Sequence, residues 1–237
     1  NKPNHILDSL FEREFEADNQ IFAMTHLRRT GQNLGFGPTS FYQNLDNERF
    51  ARVENELYEA HPTMGSVIEF LLDELALGST QPNPSPRPIL LVGPPGCGKT
   101  YFANALAKLL AAPFFTMSFA TTDTAWKLTG VNSIWSQARP SGIIQKIAET
   151  NSRDGVMFFD EVTSCKNDAH RQYPVLPSLL DLLDLEQSKQ YRDLFFDHPM
   201  DLSSWVKILA CNTAIAVALF CNWERSFWQD TTMPVGM

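Results

Sequence analysis

The run Gly93-Pro94-Pro95-Gly96-Cys97-Gly98-Lys99-Thr100 has the residue types and spacing needed to hold phosphate, satisfying G-x-x-x-x-G-K-[ST]. Its glycines let successive backbone N–H groups turn inward around an anion, and a helix opening at its end adds a favourable dipole. Lys99 would neutralise the outer phosphates of a nucleoside triphosphate, and Thr100 would offer its hydroxyl to Mg2+. Tyr101 follows at once and is counted with the nucleotide-contacting residues.

Two further places could complete such a site. Asp160 and Glu161 close the apolar run Val156 to Phe159, where Asp160 would hold Mg2+ and Glu161 would orient and deprotonate an attacking water. Taken alone, an acidic pair at that position is an ordinary solvated strand end. Asn212 lies just beyond Val206 to Ala210, which reads as another buried strand, and can position water near the terminal phosphate. In isolation it would read as a turn residue or a helix cap.

The elements that must carry these residues are visible as pattern. Ile89 to Val92 is expected as a strand, Thr100 to Leu110 as a helix burying Phe102, Leu106, Leu109 and Leu110, and the runs before Asp160 and Asn212 as buried strands. Apolar runs alternating with helical patterns indicate a parallel α/β sheet flanked by helices, with ligands at the strands' C-terminal ends. Upstream, Val67, Ile68, Leu71, Leu72 and Leu75 form one apolar stripe, predicting a helix from Met64 to Leu77 ended by Gly78. A proline-rich connector, STQPNPSPRP, follows it. The expected organisation is a helical extension over 1–56, a linker helix and connector over 57–86, and a nucleotide-binding core over 87–237.

Composition narrows the function. Apolar residues make up 43% and charged residues 19%, an ordinary soluble balance, while seventeen Phe make the core or a partner surface unusually aromatic. The net charge is −8 with pI near 5.1, and no Lys/Arg run exceeds Arg28-Arg29, so a duplex nucleic acid is not the expected main partner. Cys97, Cys165, Cys211 and Cys221 form no metal-ligand spacing and read as reduced thiols of a cytoplasmic protein. No secretory pattern opens the chain, and Ala214 to Trp223 is too short to span a bilayer.

GPPGCGKT, the Asp160-Glu161 pair and the strand-end Asn212 together resemble an AAA+ ATPase, with Walker A and Walker B motifs. The stretches SGIIQKIAET and LPSLLDLLDLEQSKQYRDLFFDHPMDLSSWVKILACNT, in that order, resemble the ATPase domain of Lon-type proteases over about residues 57–213. The resemblance implies ATP and Mg2+ as cofactors, a homo-oligomeric ring and a protein substrate. It puts Trp135 in the substrate-gripping pore loop, with Ser136 departing from the aliphatic neighbour expected there. It also implies an adenine pocket near His61 to Gly65, although His61 by itself reads as a surface or capping residue.

The tail departs from the family wording after about residue 213. Arg225 is the one Arg left to act as an arginine finger, and neither a helical lid nor a Ser-Lys peptidase section follows. The expectation is a truncated or divergent Lon-like ATPase that is not itself a peptidase. Its alternative is a slow or inactive nucleotide-binding interaction module; a DNA-acting AAA+ machine fits the loop but not the charge.

Overall fold

Asp46 opens the first well-defined helix: its side chain accepts the Arg49 N–H at 2.8 Å, satisfying one of the donors that a helix start leaves unpaired. The computed structural model describes residues 40–120, 126–132, 134, 138–150, 152, 154–164, 175–195, 198–212 and 230–232. The expected extension up to residue 39, Trp135 and Arg225 lie outside the described residues.

In chain order the helices are α1 (Asn47–Ala60), α2 (Gly65–Ser79), α3 (Lys99–Leu109), α4 (Trp126–Thr129), α5 (Gly142–Thr150) and α6 (Val175–Leu183). The strands are β1 (Ile89–Val92), β2 (Phe114–Ser118), β3 (Val156–Asp160), β4 (Tyr191–Asp193), β5 (His198–Met200), β6 (Val206–Cys211) and β7 (Asp230–Thr232). The expected strands and helices around the chemistry-bearing residues are all present, shifted by a residue or two at their ends.

The described residues gather into two compact units. The first draws on Phe41–Asp123, Asp154–Asn167 and Ser203–Met237 and holds a five-stranded sheet in the order β2-β3-β6-β1-β7. Every pairing in it is parallel. All of β1 and β6, and β3 up to Phe159, are buried. This explains why β1 and β3 are continuous apolar runs rather than alternating ones, and why β6 is apolar apart from the buried Lys207. Aromatic residues knit β2 to β3: Phe114 stacks on Phe158 with ring centroids 6.5 Å apart, and Phe115 meets Phe159 edge-on at 6.2 Å. One hydrophobic core joins the sheet to α1, α2 and α3 through Val53, Leu57, Ile68, Leu71, Phe102 and Leu106.

Gly78 corrects the sequence reading. The α2 helix runs on through it to Ser79, and a Cβ at Gly78 would lie 2.4 Å from Tyr42 Cε1. Close packing requires that glycine, not a helix stop.

The second unit draws on Asn1–Ser40, Thr124–Arg153 and Asp168–Leu202. Its described elements are α4, α5, α6 and the antiparallel pair β4–β5. Short polar and aromatic segments such as Tyr191–Asp193 carry no clear period, and the sequence reading did not assign them.

Candidate functional site

The site is assembled from the C-terminal ends of three strands of the parallel sheet. The β6 strand lies between β1 and β3, so the residue that follows β6 emerges between the glycine-rich loop and the acidic pair. The Gly93 N–H donates to the Cys211 carbonyl at 3.2 Å, tying the start of the loop to the end of β6.

Within the loop, Gly96 and Gly98 have φ of +80° and +94°, a left-handed backbone that disfavours any side chain. Gly98 is also the N-cap of α3, which begins at Lys99. A Cβ added at Gly96 would meet nothing within 4 Å, so the space beside the backbone there is open. A left-handed glycine loop leading into a helix N-terminus, with open space beside it, suits a phosphate chain.

Lys99 is only 6% exposed. Its Nζ donates to the Gly93 carbonyl at 2.7 Å, the Pro94 carbonyl at 3.0 Å and Asn212 Oδ1 at 3.2 Å, with Cys97 Sγ at 3.6 Å. One ammonium thus links the loop to the end of β6. Beside it, Thr100 Oγ1 donates to Asp160 Oδ2 at 3.4 Å, linking α3 to the end of β3. A hydroxyl and a carboxylate oxygen in contact are hard donors of the kind Mg2+ takes together with phosphate oxygens and water.

Glu161 adopts φ of +52°, which costs a non-glycine residue about 1–2 kcal/mol. Its N–H donates to Asp160 Oδ1 at 2.9 Å, and its carbonyl accepts the Ser164 N–H at 2.8 Å. The strained turn directs the two adjacent carboxylates differently: Asp160 engages Thr100, while Glu161 is only partly buried beyond the strand end.

His61 is not a surface residue. It caps the C-terminus of α1, its N–H donating to Leu57, and its side chain is buried. The ring sits 5.2 Å from both Tyr101 and Phe102, and burial pushes its pKa below the ordinary histidine value. Its Nε2 has no hydrogen-bond partner. Met64 approaches the same region, its Cε lying 3.7 Å from where a Gly98 Cβ would be. The segment His61 to Gly65 therefore borders the start of α3, with Tyr101 exposed next to it.

Lys99 contacts Asn212 and Thr100 contacts Asp160, and Lys99 is held by Gly93, Pro94 and Cys97 of the loop. Glu161 follows Asp160 immediately. The sequence reading missed the strain at Glu161 and the buried state of His61. Neither leaves a signal in composition, since a positive φ at Glu and the neighbours of a histidine are set by tertiary contacts.

Known proteins bear on this geometry. The profile of "ATPase family associated with various cellular activities (AAA)" matches residues 89–219, more than half of the chain. Lon protease of Paraburkholderia phytofirmans is 29% identical over 168 residues, covering 71% of this chain and 21% of its own length. The human mitochondrial Lon protease homolog is 29% identical over 215 residues, covering 89% of this chain and 22% of its own length. The chain thus spans about a fifth of the length of these relatives. A closed-state cryo-EM reconstruction of Hsp104 with ATPγS and FITC casein superposes with TM-score 0.61 at 21% identity, over 89% of this chain and 34% of that one. At that identity the likeness concerns the fold alone.

Proposed function

This chain belongs to the AAA family of ATPases, and on that premise we propose that it binds ATP with Mg2+ and hydrolyses it to ADP and phosphate to move or remodel a protein substrate. The observation that carries the reading is the convergence of Lys99, Thr100, Asp160 and Asn212 on one glycine-rich loop. Gly93 to Gly98 and the start of α3 would cradle the phosphates, with Lys99 neutralising the charge that develops on the terminal phosphoryl group. Asn212, already in contact with Lys99, would orient the attacking water, and Glu161 would take its proton. Thr100 and Asp160 would hold Mg2+, which supplies charge neutralisation when bound. Tyr101 and the segment His61 to Gly65 would border the base.

The protein substrate rests on the similarity to Lon proteases and on the acidic balance of the chain, with Trp135 as the residue that would grip it. A homo-oligomeric ring belongs to the same proposal, as do the boundaries at residues 56 and 86. Among the described residues no helix is long and apolar enough to cross a membrane. A cytoplasmic setting is proposed too, on the reading of the four cysteines as unpaired in spacing.

The test is steady-state ATPase rate against protein concentration for the wild type and Glu161→Gln, with nucleotide binding measured in both. The expected result is a specific rate that climbs with concentration and falls about 10²–10⁴-fold in the variant while binding persists. Tight binding with no turnover in either protein would replace the enzyme with the second reading, a nucleotide-holding interaction module.

A further inference from the structure

We propose that Asp193 is the positioning residue of the loop that leaves Val131 and returns at Arg139, locking its neck so that the exposed Ile134 meets a polypeptide in one fixed orientation. The polypeptide half of this statement rests on the function proposed above; the neck itself is argued from geometry within the second unit.

The Asp193 carboxylate is fully buried in β4. A carboxylate in that position is costly unless N–H donors surround it. Its Oδ2 accepts the Ser141 N–H at 2.7 Å, and its Oδ1 accepts the Phe195 N–H at 2.9 Å. Ser141 stands immediately before α5, where its Oγ accepts the Ile144 N–H at 3.3 Å. On its other side the carboxylate presses on Gly130, which follows α4 with φ of +71°. A Cβ on Gly130 would lie 2.8 Å from Oδ1, 3.0 Å from Oδ2 and 3.1 Å from the Arg139 carbonyl. A single carboxylate therefore meets Gly130, just before the loop, and Ser141, two residues after Arg139.

Other ties close the same neck. The Val131 N–H donates to the Arg139 carbonyl at 2.8 Å, and the Leu194 N–H donates to the Thr129 carbonyl at 2.7 Å. The Tyr191 hydroxyl donates to the Leu128 carbonyl. The Arg139 guanidinium stacks over the Trp126 ring, 3.6 Å from its centroid. Beyond the neck, Asn132 Oδ1 accepts the Ile134 N–H at 3.0 Å, and Ile134 is 82% exposed, next in sequence to Trp135. The base of the loop is thus fixed to β4 from several directions, while Ile134 is given to solvent.

A carboxylate suits this place because both of its oxygens can accept from N–H donors. Asparagine has the same shape but turns an NH2 group towards one of the two donors. The test compares the wild type with Asp193→Asn, and with Gly130→Ala, which crowds the carboxylate without removing it. Two quantities are read on the full chain. One is peptide-resolved hydrogen exchange. The other is the concentration of reduced, carboxymethylated lactalbumin, an unfolded polypeptide, that half-maximally stimulates ATP turnover.

Both variants are expected to lose protection at residues 131, 139, 141, 194 and 195 while β3 and β6 keep theirs, and the half-stimulating concentration is expected to rise about tenfold or more. Wild-type protection at the neck would overturn the proposal. An opened neck with an unchanged half-stimulating concentration would overturn it as well. Loss of protection throughout the sheet in both variants would make Asp193 a folding group and likewise sink the idea. If the unfolded polypeptide fails to stimulate a wild type whose turnover depends on Glu161, the protein-substrate reading fails, and neck protection alone then decides the role of Asp193.

Discussion

His61 shows how a side chain of ordinary type acquires a special property from its neighbours. Its imidazole is buried against Tyr101 and Phe102, and burial disfavours the charged form, so its pKa in the fold lies below the ordinary 6.5. The unfolded chain then binds this proton more readily than the native one. The contribution to stability is fully present above about pH 6.5 and is lost as pH falls below that value towards the lowered native pKa. A set of urea melts between pH 5 and pH 8 should show stability falling on the acid side. His61→Phe should flatten that fall, and an identical acid slope in the variant would locate the proton uptake elsewhere.

At the scale of the element, α2 depends on a contact that its own pattern does not announce. Gly78 would be improved by alanine if helix propensity alone decided, by about 1 kcal/mol. The added Cβ, however, would sit 2.4 Å from Tyr42 Cε1 and 3.2 Å from Pro84 Cβ. The Tyr42 ring cannot yield easily, because it is buried and stacked on Phe41 with centroids 4.1 Å apart. Overpacking of this kind costs about 1–3 kcal/mol, so the clash wins. Gly78→Ala should lower the urea midpoint with an unchanged slope; a raised midpoint would show that the Tyr42 ring moves aside. The same helix is fastened to the connector by Glu74, whose carboxylate accepts the Arg87 backbone N–H at 2.8 Å and pairs with its guanidinium at 2.7 Å. Partial burial makes this pair worth more than a surface one.

For the whole molecule, ligand binding and folding are linked through the loop that joins three strand ends. A nucleotide that binds only the native chain stabilises it by about 2.7 kcal/mol at a hundred times its dissociation constant. For a chain of this length that corresponds to a rise in Tm of about 5–10 °C. Mg-ATP should produce that rise in the wild type. In Lys99→Ala it should not, because the variant removes the ammonium that contacts Gly93, Pro94 and Asn212. Equal shifts in the two proteins would mean that the nucleotide binds elsewhere. The linkage reaches far because the core under the loop is continuous, running from Leu57 and Leu71 through Phe102 to Phe158 and Ile208.

What the sequence determined by itself was local and periodic. The spacing from Gly93 to Thr100, and the largely apolar runs ending at Asp160 and Asn212, were enough to predict the strands, the helix behind the loop and the residues at their ends. A buried parallel strand and a phosphate-binding turn each leave a signature within a few residues. Tertiary structure alone decided the strand order that sets β6 between β1 and β3, the contact between Lys99 and Asn212, and the left-handed turn at Glu161. It also decided that Gly78 and Gly130 are glycines because Tyr42 and Asp193 fill the space beside them. Those facts depend on residues brought together from distant parts of the chain, and pairing across such distances follows from packing and hydrogen-bond satisfaction, which no short-range pattern encodes.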